Sequence, residues 1–327
     1  MIISRAPVRI SMGGGGTDVS SYYEKYGGFL MAAAINKYVY IMVNKRFYES
    51  IRLSYSKTEI VDCLEKIEHK IFREALRRIN IDKQIELVSI ADVPAQCGLG
   101  TSSSFTVALL NGLFEYKKSH VSLQELAEAA CHIEIDMLKE PIGKQDQYAA
   151  SFGGFRAYWF NKDGSVVTEP VAIKEEDMMQ LQENILLFNL KKERQASSIL
   201  LEQNRKAGEG DKNTVERLHK IKEIGLRTKM IFESGNIDEF GELLHEHWLI
   251  KKGLSEKISD DFIDEAYDIA RKNGALGGKV VGAGGGGFLL FYCPKNKSLL
   301  VSKMREIGLN VMWFSFENEG AKIVFHN

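Results

Sequence analysis

Stretches rich in β-branched and aromatic residues alternate along the chain with stretches of helical spacing. Residues 8–12, Val-Arg-Ile-Ser-Met, are strand-like, and so are residues 38–46, 51–55 and 85–91. Residues 59–78 carry helical spacing, and 102–116 read as a helix with Phe105, Leu109, Leu110 and Leu113 on its apolar side. Ser122-Leu123-Gln124-Glu125 is a capping box, and the helix it opens ends before Pro141. Strands follow at 155–160 and 184–190. The run from Lys191 to Gly210 is polar, and residues 206–211 are expected to form a flexible loop. Two long amphipathic helices are expected over 214–234 and 237–252. The tail reads helix from Lys297, strand over 310–317, turn, and strand over 322–325. No internal repeat interrupts this mixed order.

The chain has 327 residues, a length that suggests two domains. No composition break marks a linker; the boundary is drawn at residue 165, giving units 1–165 and 166–327. Hydrophobic residues make up 44% and charged residues 27%, the balance of a folded globular chain. The 43 basic and 44 acidic side chains give 43 − 44 = −1, which leaves no cationic field for nucleic acid or an anionic membrane. No apolar run reaches 18 residues, and the N-terminus lacks the basic start and apolar centre of a signal peptide. The four cysteines lie far apart with no CxxC pair, so neither a zinc clip nor a disulfide scaffold is indicated. A soluble, cytoplasmic protein is expected.

Glycine changes the picture, with 29 residues against 5 prolines and three clusters. They are Gly13 to Gly16, Gly98 to Ser104, and Gly282 to Gly287. Glycine loops let backbone N–H groups converge on an anion, and a helix opening next to them adds partial positive charge. A P-loop is excluded, because Gly277-Gly278-Lys279 is followed by Val280. Gly282 to Gly287 matches GxGxxG, but a strand pattern follows it where a dinucleotide site needs a helix. Gly98-Leu99-Gly100-Thr101-Ser102-Ser103 is better placed: two glycines for a turn, then hydroxyls at a helix start that can hold phosphate or Mg²⁺. A plain Ser/Thr helix cap would have the same sequence.

On the helix opened by Ser122, residues Leu123, Leu126, Ala127, Ala130, Met137 and Leu138 form one stripe at 100° per residue, and Glu134 falls within it. His132, Asp136 and Lys139 point away. A carboxylate on a buried face needs a partner or a cation, so Glu134 is either half of a structural ion pair or a metal ligand. Beyond Pro141, a glycine turn carries Asp146, which can be a helix cap, a solvated loop residue or a catalytic carboxylate. A phosphate loop, a buried Glu and a loop Asp are the parts of an ATP-dependent phosphoryl transferase.

The three clusters, in this order, resemble the three motifs of the GHMP kinases (galactokinase, homoserine, mevalonate and phosphomevalonate kinases), over essentially the whole chain. Residues 6–18, 143–148 and 282–291 look most like the bacterial D-glycero-D-manno-heptose 7-phosphate kinase branch, as do 193–200 and 245–252. Galactokinases carry Glu-His where this chain has Gly15 and Gly16, and mevalonate kinases carry Lys in place of Arg9.

The resemblance implies a two-domain α+β fold, with a ferredoxin-like C-terminal domain and the active site in the inter-domain cleft. It implies ATP and Mg²⁺ as cofactors and a sugar phosphate as the small-molecule partner, with phosphorylation of its anomeric hydroxyl. Gly98, Leu99, Gly100, Thr101, Ser102 and Ser103 match the ATP-phosphate loop, with Ser102 and Glu134 on the metal. Asp146 matches the aspartate that orients the acceptor hydroxyl and takes its proton, and Arg9 the basic residue beside it. Gly15, Gly16, Thr17 and Asp18 match the sugar-binding part of the first motif, and Gly284, Gly285 and Gly286 the third motif near phosphates and acceptor. For the far phosphate of the sugar, Arg194 is preferred, with Lys144, Lys251 and Lys252 as further candidates. His245 and His247 are expected on a helix surface, Trp248 and the cysteines in the core. Two rival readings remain: a GHMP kinase for another acceptor, such as galactose, fucose or mannose, and a sugar- and ATP-binding regulator without catalysis.

Overall fold

The computed structural model describes residues 1–192 and 196–327. Eight strands form the first sheet: β1 (Ile2–Gly13), β2 (Gly28–Lys45), β3 (Ile51–Ser54), β4 (Thr58–Val61), β5 (Ile85–Ala91), β6 (Phe155–Phe160), β7 (Val166–Pro170) and the C-terminal strand β12 (Lys322–His326). The second sheet holds β8 (Ile185–Asn189), β9 (Gly277–Val280), β10 (Phe288–Tyr292) and β11 (Asn310–Met312). Strand β2 is long enough to serve three partners. Its middle, from Met31 to Val43, pairs with β1, its start with β6 and its second half with β5.

Helices cover both sheets. They are α1 (Ser20–Tyr26), α2 (Lys70–Arg78), α3 (Thr101–Tyr116), α4 (Leu123–Cys131), α5 (Gln145–Phe152), α6 (Glu175–Asn184), α7 (Ala196–Gly208), α8 (Lys212–Ser234), α9 (Ile237–Lys252), α10 (Asp261–Lys272) and α11 (Lys297–Glu306). On one side of the first sheet, Ile41, Val43 and Leu87 pack with Phe72, Val107 and Leu110 of α2 and α3. On the other, Val8, Ile10, Met12 and Phe29 meet Ile224, Phe232 and Phe240 of α8 and α9, together with Phe288 and Leu290 of the second sheet. That shared core joins the two halves through apolar side chains removed from water.

The second sheet runs β11-β8-β10-β9, antiparallel throughout, the order expected of a ferredoxin-like unit. Strands β7 and β12, both beyond residue 165, belong to the first sheet, and the chain ends pair there with Ile2 opposite His326. The mixture of helices and strands in two parts bears out the α+β expectation.

Three local expectations are corrected. Residues 59–78 are not one helix: β4 and a short 3₁₀ turn (Leu64–Lys66) precede α2. The stretch 206–211 is not an open loop, because α7 runs to Gly208 and Asp211 caps α8 by accepting from Thr214 N at 2.9 Å. After Cys131 the backbone widens into a π-helix (His132–Met137), which shifts the 100° face, so Met137 is exposed while Glu134 stays buried; Leu123, in the first turn of α4, is exposed too.

Candidate active site

The three glycine clusters converge on one cleft of about 630 Å³, although they lie on a strand end, a helix start and a hairpin. Strand β1 supplies Arg9, only 4% exposed because neighbouring Val8 and Ile10 carry the strand into the core. Its Nε donates to Asp146 Oδ1 at 2.7 Å, its Nη2 approaches the same oxygen at 2.6 Å, and its Nη1 donates to Gly98 O at 2.7 Å. Asp146 lies in the first turn of α5, where the free N–H groups favour a carboxylate. Its Oδ1 also accepts from Gln145 Nε2 at 2.9 Å. Among the described residues no hydrogen bond falls on Oδ2, and this oxygen faces Gly100, whose Cα would carry a Cβ only 3.1 Å away. The free oxygen of Asp146 therefore opens toward the phosphate-type loop.

That loop turns through two left-handed glycines, Gly98 (φ +81°) and Gly100 (φ +79°), into α3. Thr101, Ser102 and Ser103 form the first helical turn, and all three line the cleft. Leu99 does not: its side chain is fully buried, and its carbonyl accepts from Arg9 N at 3.0 Å. A Cβ on Gly98 would come within 2.5 Å of Val281 O, and one on Gly282 within 2.7 Å of the Gly98 backbone. The second and third motifs thus touch backbone to backbone. Gly98→Ala is expected to cost about 2–3 kcal/mol of stability from left-handed strain and this clash. The checks are denaturant unfolding and nucleotide titration; a variant within 0.5 kcal/mol (roughly the surface-substitution range) and with normal nucleotide affinity would refute this.

Glu134 is 1% exposed. Ser102 Oγ donates to its Oε1 at 3.1 Å and Gln147 Nε2 to its Oε2 at 2.8 Å, yet no basic side chain pairs with it among the described residues. Burial pushes its carboxyl up to about 7, against hydrogen bonds from Gln147, Ser103 and Ser102 that pull the other way. The structure thus gives no support to the ion-pair alternative. A hard-oxygen donor set of one carboxylate and one hydroxyl, with the buried Gln147 Oε1 also lacking a partner, suits Mg²⁺, which draws its remaining ligands from phosphates and water. Among the described residues no group of three or more His, Cys, Asp or Glu forms a self-sufficient metal cage.

The loop after β1 forms the opposite wall. Asp18 accepts from Gly16 N and Gln145 N, both at 3.1 Å, and burial followed by the Asp146 charge raises its pKa. Gly15, Gly16 and Asp18 line the cleft. Thr17 does not, because its Oγ1 donates inward to Gly14 O and Phe29 O and fixes the loop.

Several expected residues are placed elsewhere. Lys144 Nζ donates to Gly164 O at 2.5 Å and lies over the Tyr23 ring, away from the cleft. Lys252 pairs with Asp264 at 3.0 Å. Gly284 and Gly285 pack on Ile258, and neither they nor Gly286 line the cleft, which meets Gly282 and Ala283 instead. Arg194 lies outside the described residues. His247 is not surface: it is 2% exposed and contacts Lys279 Nζ at 3.3 Å. Trp248 is core as expected, and so are the cysteines save half-buried Cys63.

Lys251, one of the candidates for the far phosphate, does line the cleft, and the structure also brings in Lys279, Ser11 and Gln145, to which sequence reasoning gave no role. Lys279 lies inside with its Nζ donating to Met12 O at 3.2 Å; burial, then Lys251 and Arg9, hold its pKa well below the usual range. Lys251 ties the third loop by donating to Val280 O at 2.8 Å and Gly282 O at 2.5 Å; burial and then Arg9 bring its pKa to about 7. Ser11 and Gln145 also line the cleft. A lysine inside a strand pattern, and a serine two residues from Arg9 on the same side of β1, were the available signals.

A cleft with a free carboxylate oxygen facing a glycine-turned helix start, and a buried carboxylate one turn away, is the site of a phosphoryl transferase. The N-terminal domain model of the GHMP kinases matches residues 60–154, and the C-terminal model matches 229–308. The chain is 32% identical over 98% of both lengths to the D-glycero-alpha-D-manno-heptose 7-phosphate kinase of Campylobacter jejuni. A solved D-glycero-D-manno-heptose 1-phosphate kinase from Bacteroides thetaiotaomicron superposes with TM-score 0.83 at 28% identity, covering all of both chains. The galactokinase of Thermotoga maritima is 24% identical over 96% of this chain and 97% of its own. This protein belongs to the GHMP kinase family. It is an ATP-dependent sugar kinase. Among the described residues no helix is long and apolar enough to cross a membrane.

Proposed function

We propose that the protein transfers the γ-phosphoryl group of ATP to the anomeric hydroxyl of D-glycero-D-manno-heptose 7-phosphate, giving the 1,7-bisphosphate and ADP. The bond from γ-phosphorus to the β,γ-bridging oxygen breaks as the bond to the sugar oxygen forms, and the hydroxyl proton passes to Asp146. The observation that carries the chemistry is the divided use of Asp146: Oδ1 is held by Arg9 and Gln145, while Oδ2 is left free toward Gly100. Full-length similarity to the Campylobacter enzyme supports the acceptor.

Gly98, Gly100, Thr101, Ser102 and Ser103 hold the phosphates of ATP through backbone N–H groups and hydroxyls at the start of α3. Arg9 neutralises charge on the transferring group, which suits a loose transition state governed by positioning and electrostatics. Glu134 and Ser102 would hold Mg²⁺, which when bound neutralises phosphate charge. Gly15, Gly16 and Asp18 receive the sugar, and Thr17 keeps their loop in shape. Lys251, which lines the cleft, and Arg194 are assigned to the far phosphate. A division near residue 165, with β7 and β12 of the second unit returning to the first sheet, and a cytoplasmic location belong to the same reading.

The test is ADP release with Mg-ATP across heptose 7-phosphate, heptose 1-phosphate, heptose, galactose, fucose and mannose. Turnover at least about a hundredfold higher in kcat/KM on heptose 7-phosphate is expected, a gap of roughly 2.7 kcal/mol. Preference for another sugar would overturn the acceptor and leave the kinase. Binding of nucleotide and sugar with no ADP formed from any of them would favour the regulator.

A further inference from the structure

Two buried polar atoms in the cleft wall have no hydrogen-bond partner among the described residues, and the reaction above makes no use of them. They are Ser11 Oγ and Gln145 Oε1. Ser11 is 6% exposed and Gln145 7%, and both line the cleft. They flank Gly15, where a Cβ would stand 2.9 Å from Ser11 Oγ and 3.8 Å from Gln145 Oε1. Any larger residue at position 15 would fill the space between them.

The direction of the Gln145 amide is determined by its surroundings. Its Nε2 donates to Asp146 Oδ1 at 2.9 Å, and an ionised carboxylate can only accept. The oxygen end is therefore the one turned toward Gly15, and the backbone beneath it is tied by Asp18 Oδ2 accepting from Gln145 N. The wall thus presents an acceptor and a hydroxyl on either side of a gap, one amide's length from the carboxylate that meets the reacting hydroxyl. Polar atoms buried without partners are costly, and they persist where a ligand satisfies them.

We infer that Gln145 and Ser11 bind the sugar hydroxyl adjacent to the one that is phosphorylated, and thereby select acceptors that carry a hydroxyl there. That hydroxyl donates to Gln145 Oε1 and accepts from the Ser11 hydroxyl. Neighbouring hydroxyls of a sugar ring stand a hydrogen-bond length apart, so a sugar with its reacting oxygen on Asp146 places the next one on the adjoining amide oxygen. The inference rests on the proposed role of Asp146 and on no particular sugar. A site built to hydrogen-bond a hydroxyl rejects the analogue lacking it far better than an apolar pocket rejects an added group.

The experiment is a cycle between enzyme and substrate. Wild type, Ser11→Ala and Gln145→Met are each assayed with the sugar found to be turned over best and with its analogue deoxygenated at the neighbouring carbon. Wild type is expected to lose roughly tenfold to a hundredfold in kcat/KM on deoxygenation. In either variant that loss should shrink to within about threefold, with KM for ATP unchanged. Ser11→Ala carries the cycle by itself if Gln145→Met proves inactive, because the Ser11 hydroxyl makes no bond to any described residue. An equal deoxygenation penalty in wild type and Ser11→Ala, or none in wild type, overturns the inference. If heptose 7-phosphate is not accepted, the substrate panel reports that separately, and the cycle is read on the sugar that is.

Discussion

Asp146→Asn is expected to lower kcat by about 10²–10⁴, the range that a positioned proton acceptor supplies, while nucleotide affinity stays within a few-fold. The reason lies in how the two carboxylate oxygens are divided. Asparagine can present its carbonyl to Arg9 Nε, as Oδ1 does now at 2.7 Å, so the framework of β1 and α5 survives. The other position becomes an amide N–H₂, which donates where the sugar hydroxyl needs an acceptor. Loss should therefore appear in the chemical step. Single-turnover assays with saturating ATP, together with a nucleotide titration, separate the two quantities. A kcat within tenfold of wild type would remove Asp146 from the proton transfer.

Glu134→Gln should move activity and stability in opposite directions. Its carboxyl titrates near 7 in the folded protein because burial disfavours the charged form, against about 4.5 when unfolded. Between these values the folded state binds the extra proton, so stability of the ligand-free protein falls as pH rises from about 4.5 to about 7. The difference of about 2.5 units corresponds to on the order of 3 kcal/mol, present in full above pH 7. Glutamine removes this penalty, and Gln147 can turn its amide so that its unpartnered oxygen accepts from the new side chain. The variant should be more stable than wild type at pH 8 by that order and about equal near pH 4.5. Its Mg²⁺-dependent kcat/KM should fall by about 10²–10³, the scale of removing one electrostatic contact to developing charge. In wild type at low Mg²⁺, activity should decline as pH drops below about 7, since a proton competes with the cation. Urea unfolding at the two pH values and a Mg²⁺ titration check these points; a variant less stable than wild type at pH 8 would contradict the account.

The sequence revealed most of what depends on local pattern. The glycine clusters marked all three loops of the cleft, and the stripe around Glu134 pointed to a buried carboxylate before any fold was known. Strands 85–91 and 155–160 and helix 237–252 coincide with β5, β6 and α9. What escaped is what tertiary packing decides. The run 191–210 read only as polar, with a loop expected at 206–211; Ile199 and Ala207 are buried against neighbouring helices, and that packing holds α7 through to Gly208. Lys144 looked like a phosphate ligand by its place in a motif, yet the carbonyl of Gly164 and the Tyr23 ring draw it away. Lys279 entered the reading only in excluding a P-loop, since a lysine in a strand pattern does not by itself tell whether it points inward. The partnership of β12 with β1 spans the whole chain and has no local signature.

The backbone contact between Gly98 and Gly282 has a consequence for how the protein is made. The phosphate-type loop is shaped by residues translated more than 180 positions later, since Val281 O and the Gly282 backbone occupy the space a side chain at residue 98 would take. A nascent chain that has emerged only through α5 carries every residue of that loop and still lacks the surface that moulds it. Nucleotide is then a ligand of the completed chain alone, and its binding energy is conferred on the global folding equilibrium. Amide exchange slowed by nucleotide should accordingly reach the slowest protons of both sheets together, instead of marking the N-terminal half as an earlier and independent unit.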